Sequence, residues 1–305
     1  MGNDITDRLH KMGDQFRFQR EQISKGLWKG LDWLCNLIII GAVVVGGYFL
    51  VRIFLVESYR VPSSSMEPTL LPGDQIWVFK PILGPRLFAD WEVIRTGELR
   101  YRRLPGLRNA KRNDILVINR FSTHQTVSHS GIGVFYIKRC IGIPGDTLRI
   151  ENGFYRVSGC KDTLGVASKQ RELALASPER LEGFTCFNNG WTLHNYGPLY
   201  IPKKGDTVPL DTITAYHYRE AIEAETKKRV EVRDGEVYLG ETPCGEYTFT
   251  MGCYFFSGDN AVDSNDGRYW GVVSESEIVA KAVLIWDSVE PITQKRRWER
   301  IFKPL

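Results

Sequence analysis

Trp33-Leu-Cys-Asn-Leu-Ile-Ile-Ile-Gly-Ala-Val-Val-Val-Gly-Gly-Tyr-Phe-Leu-Val-Arg-Ile-Phe-Leu-Val56 divides this chain into two unequal parts. Only Asn36 and Arg52 interrupt the apolar run, and Arg52 lies near one end, where a long cationic side chain can reach the headgroups. Crossing the hydrocarbon core takes roughly 20 apolar residues in a helix, so residues 33–56 are expected to form one transmembrane anchor. A buried core helix of a soluble domain is the bland alternative, disfavoured by the length of the run. A cleaved signal peptide is disfavoured too: the run starts late, and no small-residue cleavage site ends it.

Working outward from the anchor, the leading segment 1–32 carries Arg8, Lys11, Arg17, Arg20, Lys25 and Lys29, whereas only Arg60 lies close on the far side. Positive charge is retained in the cytoplasm, so the N-terminus is expected inside and everything past Val56 outside, on the periplasmic face of a bacterial inner membrane. Ile5, Leu9, Met12, Phe16, Ile23, Leu27 and Leu31 recur at steps of mostly three and four. That spacing predicts an amphipathic helix lying on the lipid bilayer.

The 305 residues carry a net charge of +4, with 43% hydrophobic and 25% charged side chains, an ordinary globular balance. The longest basic runs, Lys227-Lys228-Arg229 and Lys295-Arg296-Arg297, are short and read as solvated surface, so no nucleic-acid partner is expected. Beyond the anchor the pattern changes to short strands, at Ile76–Phe79, Ile115–Ile118, Phe135–Ile141, Leu148–Glu151, Phe154–Val157, Val230–Val232, Glu236–Leu239, Tyr247–Thr250 and Tyr254–Ser257. Asp234-Gly235 between two of them signals a hairpin. The expected class is mainly β: an antiparallel β-rich core with an inserted smaller domain, preceded by one transmembrane helix. Core segments 57–159 and 246–305 would flank an insert over 160–245, which holds two helix candidates, Ser168–Leu181 and Tyr216–Lys228.

Four blocks carry the chemistry. Val61-Pro-Ser-Ser-Ser-Met-Glu-Pro-Thr-Leu70 follows the anchor closely, with Pro62 and Pro68 stiffening its flanks. Alone, a serine-rich loop is usually just a turn. Lys111-Arg-Asn-Asp-Ile-Leu-Val-Ile118 reads as a polar turn feeding a buried strand. In Tyr136-Ile-Lys-Arg-Cys-Ile-Gly-Ile-Pro-Gly-Asp146, Lys138 interrupts an apolar strand. Its plain reading is an edge-strand charge facing water; buried instead, it could lose several pKa units and act as a base. Gly258-Asp-Asn-Ala-Val-Asp-Ser-Asn-Asp-Gly-Arg-Tyr-Trp-Gly271 lacks the spacing and final glutamate of a calcium loop, so no metal or other cofactor is expected.

In order and wording these blocks resemble the bacterial type I signal peptidases, over essentially everything from the anchor to about Asp287. The family's Ser-Met-x-Pro-Thr-Leu is matched at Ser65–Leu70, its Lys-Arg-x-x-Gly-x-Pro-Gly-Asp at Lys138–Asp146, and its last block at Gly258–Asn260 and Asp266–Gly271. The resemblance implies a β-rich catalytic core and a membrane-bound serine endopeptidase that removes signal peptides from exported preproteins after a small-x-small motif. Its partners would be those preproteins, the bilayer and the export machinery. Ser65 would be the nucleophile and Lys138 the base, a known alternative to the histidine triad. Ser63 would help the Ser65 N–H hold the oxyanion, Ser264 would orient the lysine, and Asp266 with Arg268 would support the geometry. Val61, Leu70, Tyr136 and Ile137 would line the substrate pockets. The chain departs from the family at Ala261-Val262, where Arg-Asp is usual, and at Gly267, usually serine. His124 and His129 fall in a polar loop and are read as solvent-facing.

Six cysteines outside a reducing compartment invite pairing. With Cys35 in the span and Cys140 in the lysine strand, Cys160, Cys186, Cys244 and Cys253 allow three connectivities, of which Cys160–Cys186 is favoured.

Overall fold

Ile115-Leu-Val-Ile118 shows how the core is built, because its residues are buried on both faces. Ile115 and Val117 join one apolar cluster with Val61, Met66, Leu70, Ile76 and Val279, while Leu116 and Ile118 join another with Cys140, Phe256, Trp270 and Val273. A strand wedged between two cores needs no polar face and reads as a continuous apolar run. Each such side chain contributes about 1.5–3 kcal/mol by leaving water.

The computed structural model describes residue 28 and residues 31–88, 101–120, 134–177 and 190–305. The chain divides into two units, Met1–Arg52 and Ile53–Leu305. Most of what the structure describes of the first belongs to an apolar helix, Leu31–Phe54, long enough to cross a bilayer, whose last two residues fall in the second. It ends two positions before the apolar run does, because Val56 begins a strand. The expected amphipathic helix over 1–32 lies almost wholly outside the described residues, as do His124, His129 and Cys186, and hence the Cys160–Cys186 pair.

Eighteen strands are described in the second unit: β1 (Val56–Arg60), β2 (Asp74–Phe79), β3 (Arg86–Phe88), β4 (Tyr101–Arg103), β5 (Ile115–Arg120), β6 (Val134–Gly142), β7 (Thr147–Glu151), β8 (Phe154–Val157), β9 (Tyr196–Tyr200), β10 (Thr207–Pro209), β11 (Val230–Arg233), β12 (Glu236–Leu239), β13 (Thr242–Pro243), β14 (Glu246–Thr248), β15 (Cys253–Ser257), β16 (Val273–Ser274), β17 (Ile278–Ser288) and β18 (Lys303–Pro304). Eight form one sheet in the order β1-β2-β17-β5-β6-β15-β16, with β18 added on β17, and its neighbours run antiparallel. The mainly β, antiparallel class is thus the observed one. At the Asp234-Gly235 turn both residues have positive φ, 51° and 85°, the twist that a two-residue hairpin requires.

Between β6 and β15 lie small sheets (β8-β7-β9, β10-β14, β11-β12-β13) and, among the described residues, two helices. The first, Ala167–Leu175, is shorter than the periodicity predicts, since Pro178 follows Ser177 and a residue before proline avoids helical backbone. The second, Thr214–Thr226, ends on Lys227 in the left-handed region, φ 59°. Their apolar residues share one core with Leu148, Tyr196, Phe249, Phe255 and Val272.

Candidate active site

Antiparallel β1 and β2 are joined by residues 61–73, and this connection carries the serines. Val61 N–H donates to Asp74 O at 2.8 Å and Gly73 N–H to Val61 O at 2.9 Å, pinching the loop at its base. Met66 and Leu70 plug the apolar cluster beneath it, and Ser64–Met66 form a single 3₁₀ turn closed by Glu67 N–H on Ser64 O at 2.9 Å. Anchored at base and centre, the turn presents Ser65 at a fixed point.

Lys138 comes from β6, paired with Leu116 of β5, while its neighbour Arg139 pairs with Ser257 of β15. The strand therefore lies inside the sheet, and the edge-strand reading of the lysine does not hold. Lys138 is 3% exposed, and its Nζ lies 2.5 Å from Ser65 Oγ. Burial pulls the ammonium down to about pH 8; Asp266, Asp259 and Asp263 oppose that, and Arg268 adds to it. Ser63 Oγ lies 3.3 Å from Ser65 Oγ, on an extended residue at the head of the turn.

Beneath these groups Asp266 and Arg268 form a wholly buried, two-pronged ion pair, Nε to Oδ1 and Nη2 to Oδ2 both at 2.8 Å. Burial alone would raise the Asp266 carboxyl, but the Arg268 charge and hydrogen bonds, with the Gly258 N–H at 2.9 Å, hold it below the usual carboxylate range. Arg268 also donates to Ala261 O at 2.7 Å, which fixes the Gly258–Arg268 loop. Ser264 is buried in that loop, yet its Oγ has no hydrogen-bond partner among the described residues. The lysine contact expected of it is not formed.

The pocket residues divide. Val61, Leu70 and Ile137 belong to the cluster under the Ser65 turn, whereas Tyr136, one position earlier in an alternating strand, packs against the other core. Arg139, Asp259 and Thr69 received no role from the sequence. Arg139 grips Asp259 with Nε at 2.6 Å and Nη2 at 2.7 Å, and Thr69 Oγ1 donates to the same carboxylate at 2.5 Å. This clamp joins the turn, the lysine strand and the last block; its signal was the arginine directly after the lysine.

A buried lysine amine touching a serine, with an ion pair and a second serine beside them, is an arrangement suited to acyl transfer. The family model for signal peptidase, peptidase S26, matches residues 31–287. Signal peptidase I of Pseudomonas fluorescens is 30% identical over 248 residues, which cover 78% of this chain and 66% of that one. The signal peptidase I of Buchnera aphidicola subsp. Acyrthosiphon pisum (strain APS) is 28% identical over 254 residues, 79% and 71% of the two chains. This chain thus spans about two thirds of the length of those relatives. A solved signal peptidase I from Enterococcus faecalis V583 aligns with 58% of this chain and 98% of its own at 16% identity and a TM-score of 0.27, which adds nothing to the fold described above. The chain belongs to the signal peptidase family of serine peptidases, peptidase S26.

Proposed function

We propose that this protein is a membrane-bound endopeptidase that removes N-terminal signal peptides from exported preproteins, with Ser65 as nucleophile and Lys138 as general base. The observation that carries the reading is the 2.5 Å approach of a buried lysine amine to a serine hydroxyl. With a pKa near 8, roughly one Lys138 in ten is neutral at pH 7, against fewer than one in a thousand for free lysine. The neutral amine takes the proton of Ser65 as Oγ attacks the scissile carbonyl. The oxyanion is received by the Ser65 N–H and Ser63 Oγ, and the ammonium then protonates the departing amine. A water deprotonated by Lys138 releases the acyl group and restores the serine.

In this reading the Leu31–Phe54 helix spans a bacterial inner membrane once, the N-terminus is cytoplasmic, and the catalytic unit faces the periplasm. Val61, Leu70 and Ile137 shape shallow apolar pockets that admit small side chains and set a small-x-small cleavage preference, while Tyr136 packs against the other core. The segment 160–245 is an inserted domain on the catalytic core. The test is incubation of the purified full chain in detergent with a secretory preprotein, followed by N-terminal sequencing of the product. Cleavage after a small-x-small site, abolished by Ser65→Ala, is the expected result. Undiminished cleavage by that variant would remove Ser65 from the mechanism.

A further inference from the structure

The turn that holds Ser65 is fastened to the Gly258–Arg268 segment at several points. Asn260 N–H donates to Ser65 O at 3.1 Å, and Asn260 Nδ2 donates to Ser64 O at 3.4 Å. A Cβ added to Gly258 would lie 2.4 Å from Ser65 O and 2.2 Å from Ser264 Oγ, so the two segments touch there. Ser64 adds a side-chain link that ends one residue from the nucleophile: its Oγ donates to Asp263 Oδ2 at 3.0 Å. Asp263 N–H donates in turn to Asn260 O at 3.0 Å, which closes the loop presenting the carboxylate. Unlike Asp266, Asp263 is exposed and stands on the rim of the site.

Resting on the Ser65–Lys138 reading above, we propose that Asp263 is a positioning residue with two separable effects. Through Ser64 it holds the nucleophile turn in register with Lys138, and through its charge it helps set the pH at which that lysine becomes a base. A carboxylate favours the ammonium form, so Asp263 works with Asp266 and Asp259 against burial and Arg268. Removing its charge lowers the lysine pKa. Activity needs the neutral amine, so the acid limb of the pH–rate profile then moves to lower pH.

Two substitutions separate the effects, because Asp263→Asn keeps an acceptor oxygen and loses the charge, whereas Ser64→Ala loses the hydrogen bond and keeps the charge. The full chain in detergent is assayed on a preprotein across the pH range, with unfolding midpoints measured in parallel. Ser64→Ala is expected to lower plateau kcat about three- to tenfold, the size of one lost hydrogen bond, with KM and the acid limb unmoved. Asp263→Asn is expected to move the limb to lower pH at near-normal plateau kcat. Asp263→Ala should do both, and adding Ser64→Ala to it should cost no further kcat. Unchanged kcat in both alanine variants, a limb that stays put or rises in Asp263→Asn, a loss confined to KM, or a kcat loss explained by a lower unfolding midpoint would each overturn the proposal. Activity retained by Ser65→Ala is a different result, and it removes the underlying dyad instead.

Discussion

Lys138 meets two opposed demands: it is buried in mid-sheet, yet three carboxylates act on it. In the proposed mechanism the compromise near pH 8 makes the activity a titration of one amine. With the neutral form as the proposed base, kcat/KM should rise with pH through about 8 and level above it. Lys138→Arg should be inactive across that range, since arginine keeps its proton; near-normal turnover by it would exclude lysine as base. Ser63→Ala should lower kcat by about 10²–10³ with little change in KM if its hydroxyl meets the oxyanion. A change limited to KM would make Ser63 a binding group. Ser264 is the residue whose geometry departs from expectation, for its hydroxyl lies against Gly258 with no partner among the described residues.

At the scale of elements, the second helix shows how the added segment meets the sheet. His217 of Thr214–Thr226 is 1% exposed, stacked on Trp191 at 4.4 Å between centroids, and its carbonyl accepts from Val272 N–H at 3.0 Å. Burial keeps this imidazole neutral down to about pH 4, against an ordinary 6.5. Between those values the unfolded chain binds a proton that the folded one refuses, so stability falls as pH drops from 6.5 toward 4, by about 3 kcal/mol in all. Urea midpoints of His217→Phe should lose most of that slope; an equal slope in both proteins would remove His217 as its source. The strands on which Lys138, Leu116 and Phe256 lie were legible in the sequence because apolar runs bounded by turns mark buried strands. That Ser65 and Lys138 would meet was legible because two short motifs kept their wording. β17, the longest strand, was not: buried along most of its length, Ile278-Val-Ala-Lys-Ala-Val-Leu-Ile-Trp-Asp-Ser288 does not alternate cleanly, and its alanines favour helix. β1 was hidden because its first residue continues the apolar run of the anchor. Tyr136 could not be assigned to its core by motif alone, since which face a strand residue takes depends on register.

For the whole molecule, the sided placement of its mass can be tested directly. Protease added to inner-membrane vesicles of known sidedness should digest the unit Ile53–Leu305 only from the periplasmic face. Digestion from the cytoplasmic face would reverse the proposed orientation. Within that unit, the loop that carries Ser65 is closed from far along the chain. Arg300 Nη2 donates to Thr69 O at 2.9 Å across 231 positions and grips buried Asp74 at 2.6 Å, while Arg297 Nη2 donates to Pro72 O at 2.9 Å. Synthesis runs from the N-terminus, so the ribosome makes Ser65 long before Arg297 and Arg300. A chain grown past Lys138 but not yet to Arg297 carries the serine and the lysine without the ties that hold the loop after Ser65. In the proposed mechanism, cutting power should therefore come only once Arg297 and Arg300 have left the ribosome. Ribosome-bound chains stalled before Arg297 should cleave a preprotein far more slowly than released ones, and equal rates would show that the loop closes without its brace.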